Sequence, residues 1–235
     1  MKVLHSICQK EEQEIQEMHK RQRELHLVPT PVCYLSLEVL DGGGEEIAEY
    51  RDRSKSWVRN WYNFIAHQTM QLTAGSLGAT FGNGTVALKH ISGVTISTNM
   101  MYLNGINTGQ GHRGGGGSAA VGVIVGAGTA AESFNGHALG SVIPHGTGSG
   151  QLSYGDMSLL TAVWDNVAKK LVQNLERSFL NFSGAAITVN EVGLYQYNTT
   201  GNTFMTARDL LVTPVSVPHD GLLKVKYTQE ITFPE

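Results

Sequence analysis

Between Leu171 and Tyr197 the sequence LVQNLERSFLNFSGAAITVNEVGLYQY alternates over two runs separated by Ser183-Gly184. Leu171, Leu175 and Phe179 share one parity with Gln173, Arg177 and Asn181, and Val172, Leu180 and Phe182 share the other with Asn174, Glu176 and Ser178. Successive side chains of a strand point to opposite faces, so the pattern predicts two strands, and the Ser-Gly pair predicts the turn of a β-hairpin. In the second run Ile187 and Val189 hold one parity and Val192 and Leu194 the other. That slip predicts a bulge between Asn190 and Gly193. Function on such a scaffold belongs to its loops or outer surface.

The same alternation recurs elsewhere. Val32 to Leu40 reads as a half-buried strand, Asp41 to Gly44 as its turn, and Glu46 to Arg53 as the returning strand. Thr85 to Lys89, Val94 to Thr98, Ala119 to Val125, Ser141 to Ile143, Phe204 to Val212 and Leu223 to Phe233 read as further strands, with Gln151 to Trp164 extended. Turn signals about every ten residues predict a mainly β fold: a β-sandwich with Greek-key or jelly-roll-like connections. Two helices interrupt it. Ser56 caps a predicted amphipathic helix over 56–72, with Trp57, Trp61, Phe64, Ile65 and Leu72 on the face packed against the sheet. Residues 6–27 predict a polar helix whose apolar positions are Ile15, Met18, Leu25 and Leu27.

Residues 1–28 are therefore expected to form a helical extension that docks on neighbouring subunits, and 29–235 the sandwich domain. Five basic and five acidic residues balance between Met1 and Leu27, so the extension is not a nucleic-acid arm. The whole chain carries a net charge of -3 and only 16% charged residues. Those values argue against a nucleic-acid or membrane partner and for a subunit that covers its outside with neighbours. No run approaches the roughly 18 apolar residues of a membrane span, and the opening MKVLHSICQKEEQ turns charged too early for a signal peptide. Cys8 and Cys33 are too few for a disulfide framework or a four-cysteine zinc site and read as reduced thiols.

Sites of chemistry are weakly marked. Gly126 to Ala131, GAGTAA, follows the apolar strand VGVIV as a dinucleotide loop would, but Phe134 to His137 interrupts the helix such a loop requires. His112, His137 and His145 have no metal-ligand spacing. Gly146 to Gly150, GTGSG, lacks the first glycine of a nucleophile elbow. Gln110 to Gly117 reads as a flexible crossing or exposed tip. No catalytic residue, cofactor or metal is expected.

Four runs, GVIVGAGTAA, HALGSVIPHGTGSGQLSYGD, ERSFLNFSGAAITVNEVGLY and FMTARDLLVTPVSVPHDGLLKVKYTQEITF, together with SWVRNWYN at Ser56 to Asn63, resemble virion structural proteins of tailed bacteriophages. Arg177, Phe179, Asn181, Ser183, Gly184, Glu191, Gly193, Leu194 and Tyr195 carry the resemblance, although Ser178 intrudes between the arginine and the phenylalanine. It spans about residues 50–235 and leaves the N-terminal helix outside. It implies a non-enzymatic structural subunit of the tail, collar or connector region, made in the host cytoplasm and located in the virion, with copies of itself and other virion proteins as partners.

Ile15, Met18, Leu25, Arg177 and Glu191 are the expected interface residues, with Arg177 pairing a carboxylate across strands beside Glu176. A second reading is a receptor- or glycan-binding module of a tail fibre or tip, which an aromatic-lined concave pocket would favour and whose partner would be a host surface glycan. A third, a cell-wall hydrolase, would draw on Asp156, Asp165, Glu176 or Glu191.

Overall fold

The computed structural model describes residues 1–24, 31–63, 81–82, 85–98, 111–159, 162–198 and 201–232. It is mainly β. The strands are β1 (Lys2–His5), β2 (Val32–Leu40), β3 (Glu46–Arg53), β4 (Phe81–Gly82), β5 (Thr85–Lys89), β6 (Thr95–Thr98), β7 (Gly122–Gly126), β8 (Ser153–Leu159), β9 (Val163–Asp165), β10 (Lys170–Leu180), β11 (Ile187–Tyr197), β12 (Thr203–Val217) and β13 (Leu222–Thr232). A helix, α1 (Gln9–Glu24), lies between β1 and β2.

One sheet has the order β1-β3-β2-β13-β10-β8, with β9 beside β10 as well, and a second has the order β12-β11-β7. Their inward residues share a single core: Leu35, Leu37 and Val39 of β2, Phe179 of β10 and Val225 of β13 meet Val123 of β7, Val192 of β11 and Val215 of β12. This is a β-sandwich arrangement, as the alternation predicted. The small sheet β4-β5-β6 is attached through Leu88 and Ile96, which pack on Phe204 of β12.

The expected hairpin is not one. β10 pairs with β13, β8 and β9, whereas β11 pairs with β12 and β7. The link between them is an arch from one sheet to the other, and Asn181, fully buried, is its keystone. Its Nδ2 donates to the carbonyls of Ala185 (2.8 Å), Val217 (2.8 Å) and Pro218 (3.0 Å), while its Oδ1 accepts from Ser183 N (3.0 Å) and Ser183 Oγ (2.7 Å). One amide thus ties the arch to the neighbouring crossing from β12 to β13. The parity slip does mark an irregularity, but the surplus residues lie on β12: Val189 pairs Val215 while Glu191 already pairs Leu210.

The N-terminus also departs from expectation. β1 joins the large sheet parallel to β3, and the His5 ring stacks on Tyr50 at 5.1 Å with its Nε2 3.3 Å from Asp52 Oδ2. Lys55 and Glu11 form an ion pair that fastens α1 to the same chain. Ile15 is buried and Met18 half-buried, so residues 1–24 are attached to their own body; Leu25 lies outside the described residues. Residues 59–63 are helical where the amphipathic helix was expected, and Phe64, Ile65 and Leu72 lie outside the described residues. Among the described residues no helix is long and apolar enough to cross a membrane.

Candidate functional site

Two buried charge clusters hold the sandwich together, and a polar cleft opens beside them. At Glu191 the β11 carboxylate faces the loops after β7. Its Oε1 accepts from Gly128 N (3.0 Å) and Ser141 N (2.9 Å), and its Oε2 accepts from Gly140 N (3.1 Å) and from Arg208 Nε (2.7 Å). Arg208 completes its fork on the carbonyls of Ala130 (2.8 Å) and Ala131 (3.1 Å). The glycine loop at 126–131 contributes one N–H, that of Gly128, to an anion cradle completed by Gly140 N and Ser141 N. Its anion is the chain's own carboxylate.

Arg177, on β10, is the largest fully buried side chain of the core. Among the described residues it forms no ion pair with a carboxylate. Instead Nε donates to Gly155 O (2.9 Å), Nη1 to Val121 O (2.9 Å) and Val123 O (3.1 Å), and Nη2 to Gly115 O (2.8 Å), with the guanidinium 4.8 Å from the Tyr154 ring centroid. Arg177 and Glu191 are 1% and 0% exposed, so within the subunit these two expected interface residues are enclosed by their own chain. The glycines at 114–117 are likewise not a free tip. Gly114 O accepts from Met157 N, Gly117 N donates to Tyr154 O, and Gly116 N donates to Asp156 Oδ1 at 2.6 Å, which lays this segment along β8 and over Arg177.

Asp209, in the interior, and His112, half-buried, have displaced pKa values. Asp209 accepts from Ser54 Oγ and Tyr227 OH, each at 2.8 Å, and from Lys55 N at 3.2 Å. Burial nevertheless raises its pKa from the usual 3.8 to about 6. His112 sits with Nε2 3.1 Å from Thr206 Oγ1. Because that hydroxyl gives its proton to Leu194 O (2.9 Å), the imidazole donates from Nε2, and burial lowers its pKa to about 4.

The other sequence-marked groups are dispersed. Asp165 caps its own turn by accepting from Val167 N and Ala168 N, and Glu176 faces Lys226 across β10 and β13. His145 Nδ1 accepts from Tyr154 N at 3.1 Å. Among the described residues no three His, Cys, Asp or Glu side chains gather into a metal-binding group. Cys8 is exposed, Cys33 is buried, and both are free thiols.

A cleft of about 470 Å³ lies between residues 59–63 and the strands β5 and β6. Arg59, Asn63, Lys89, Thr95, Ser97 and Asn135 line it, a wall of two cations, two amides and two hydroxyls. Asn60, buried beneath, donates from Nδ2 to Lys89 O (2.8 Å) and Met205 O (3.1 Å) and accepts from Lys89 N at Oδ1 (2.8 Å). Asn63 Nδ2 adds a bond to Ala87 O at 3.0 Å. Sequence reading passed over this site because its residues come from segments some 30 to 75 positions apart, none with a motif of its own.

A different surface lies at the far end of β10. Trp164, Leu171 and Ile231 stand opposite one another across β9, β10 and β13. They continue the core-facing parity of Leu175 and Phe179, yet Trp164 is 47% exposed and Ile231 is 37% exposed. Val167, in the adjoining turn, is 94% exposed. The chain matches no family model, no curated protein and no solved structure.

Proposed function

We propose that this protein is a non-enzymatic structural subunit of a tailed-bacteriophage virion, in the tail, collar or connector region, which assembles into a symmetric oligomer. The observation that carries the reading is the row Trp164, Leu171 and Ile231, where the core-facing side of the large sheet runs on beyond its cover. An apolar, core-facing row left in water is a surface suited to burial against a second copy, and a low charge density adds little repulsion against that contact. Among the described residues β9 pairs with β10 alone, and its other edge offers backbone groups for strand pairing at the same place. The resemblance carried by Arg177 to Gly184 and Glu191 to Tyr195 supports a virion setting; its polar members serve inside the subunit, so the resemblance bears on the fold of the subunit and the sheet end on its assembly.

Light scattering on the full chain tests this. The expected result is a defined oligomer that the double substitution Trp164→Ser, Val167→Ser converts to monomers, with the circular dichroism of the sandwich unchanged. A monomer in the unsubstituted chain, or an oligomer indifferent to the substitutions, would overturn self-assembly through this surface.

A further inference from the structure

The polar cleft has a use that assembly does not require. Arg59 and Lys89 both line it, and neither has a carboxylate partner among the described residues. Their spacing is fixed by backbone. Arg59 directly precedes Asn60, whose amide is bonded to both the N–H and the carbonyl of Lys89, and Arg59 N donates to Phe134 O at 2.7 Å. Two cations lining one cleft place positive charge on its wall, which favours a bound anion.

The rest of the wall narrows the kind of anion. Thr95, Ser97, Asn63 and Asn135 offer hydroxyls and amides, which both donate and accept, matching a ligand rich in hydroxyl groups. Tyr62 and Phe134, each adjacent in sequence to a lining residue, lie against each other with ring centroids 5.6 Å apart and planes tilted by 51°, and remain 55% and 56% exposed. Tyr62 follows Arg59 by three residues within the helical segment, which puts both on one side of it. Either exposed ring of this pair offers an apolar face beside the polar cleft for the C–H face of a sugar ring, and the volume falls in the range of small-molecule sites.

We propose that the cleft between residues 59–63 and strands β5 and β6 binds an acidic saccharide, with Arg59 and Lys89 on its carboxylate, the amides and hydroxyls on its hydroxyl groups, and the Tyr62–Phe134 pair under a neighbouring ring. The cleft shares no residue or strand with the Trp164 row, so assembly and saccharide binding are tested by separate substitutions. Binding is measured by isothermal titration calorimetry on the full chain with digalacturonate, against neutral galactobiose, adenosine monophosphate and inorganic phosphate as comparators.

The expected result is binding of digalacturonate alone, weakened by added salt and lowered about tenfold or more in Arg59→Gln and in Lys89→Gln, as loss of a charge-assisted contact implies. Tyr62→Ala, a surface change, is expected to lower affinity by roughly threefold to tenfold through lost stacking. No heat at millimolar digalacturonate, equal binding of galactobiose, tighter binding of adenosine monophosphate or phosphate, or unchanged affinity in all three variants would each overturn the proposal. Failure of either glutamine variant to fold leaves Tyr62→Ala and the comparator ligands to decide it.

Discussion

The Glu191 carboxylate lies 2.7 Å from Arg208 Nε with both side chains in the interior, so the strands β11 and β12 are joined by an ion pair as well as by their ladder. Three loop N–H groups share the same carboxylate. Glu191→Ala strands a buried guanidinium and three donors together, and is expected to cost about 3–5 kcal/mol. Denaturant unfolding measures this, and a double-mutant cycle with Arg208→Met should return a coupling of at least about 1 kcal/mol. A cost below about 1 kcal/mol for Glu191→Ala would place the pair among interactions of surface strength.

Gly128 supplies a second way to probe that carboxylate. Its backbone is not in the left-handed region, so alanine meets no strain there and would ordinarily stabilise by about 0.4–1 kcal/mol. Its Cβ, however, would collide with the Glu191 carboxylate. Gly128→Ala is therefore expected to destabilise the protein by about 1–3 kcal/mol. In a Glu191→Ala background the carboxylate clash is removed and only the close approach to Ser141 N remains, so the same substitution should cost less, and additive effects would contradict the geometry.

Arg177 makes four bonds to the carbonyls of Gly115, Val121, Val123 and Gly155. A lysine has three donors on one point and cannot span these acceptors, so Arg177→Lys keeps the charge and loses the fork. A loss of about 2–4 kcal/mol is expected, with hydrogen exchange rising first at 114–117. Protection there equal to that of the unsubstituted chain would show that the segment is held by its β8 contacts alone.

Much of the architecture was legible at the level of single strands. β2, β3 and β5 run between the residues the sequence marked, and in β2 the alternation holds because Cys33, Leu35, Leu37 and Val39 face the core while Tyr34, Ser36 and Glu38 are only half-buried. The hairpin failed for a physical reason: alternation states which residues of a strand face the core but not which strand lies beside it. The partners of β10 and β11 come from β13 and β12, and only the buried Asn181 separates an arch from a turn. The interior charges left a usable signal. Arg177 shares the parity of Leu175 and Phe179, and Arg208-Asp209 interrupts the run FMTARDLLV, so each sat on an otherwise apolar stretch where burial was the implication. The cleft left no such signal, since Arg59, Lys89 and Asn135 converge only after three segments have packed.

Asn181→Asp tests the arch directly. The substitution replaces a donor to three carbonyls by an acceptor that faces them, with no cation described beside it. It is expected to destabilise the protein by about 2–4 kcal/mol at neutral pH and by less in acid, where the new carboxyl protonates and regains a donor. Equal stability at both pH values would mean that the amide is oriented the other way round.

Asp209 and His112 should oppose each other as the pH falls. Asp209 has a folded pKa raised from 3.8 to about 6, so the native state takes up a proton before the unfolded chain does. Its contribution to stability is full below about 4 and is lost as the pH rises through 6. His112 has a folded pKa lowered from 6.5 to about 4, so the unfolded chain takes up its proton first, and its contribution is present above 6.5 and lost as the pH falls towards 4. Each amounts to on the order of 3 kcal/mol over a nearly shared window, with opposite sign. The two therefore offset one another between about pH 4 and 6, and the single substitutions uncouple them. Asp209→Asn should lose stability more steeply than the unsubstituted chain on acidification from pH 6.5 to 4, and His112→Gln, which keeps a donor for Thr206, should lose it less steeply. Unfolding free energies across that range decide the matter: parallel pH profiles for all three proteins would mean that neither group titrates with the displaced pKa its burial implies.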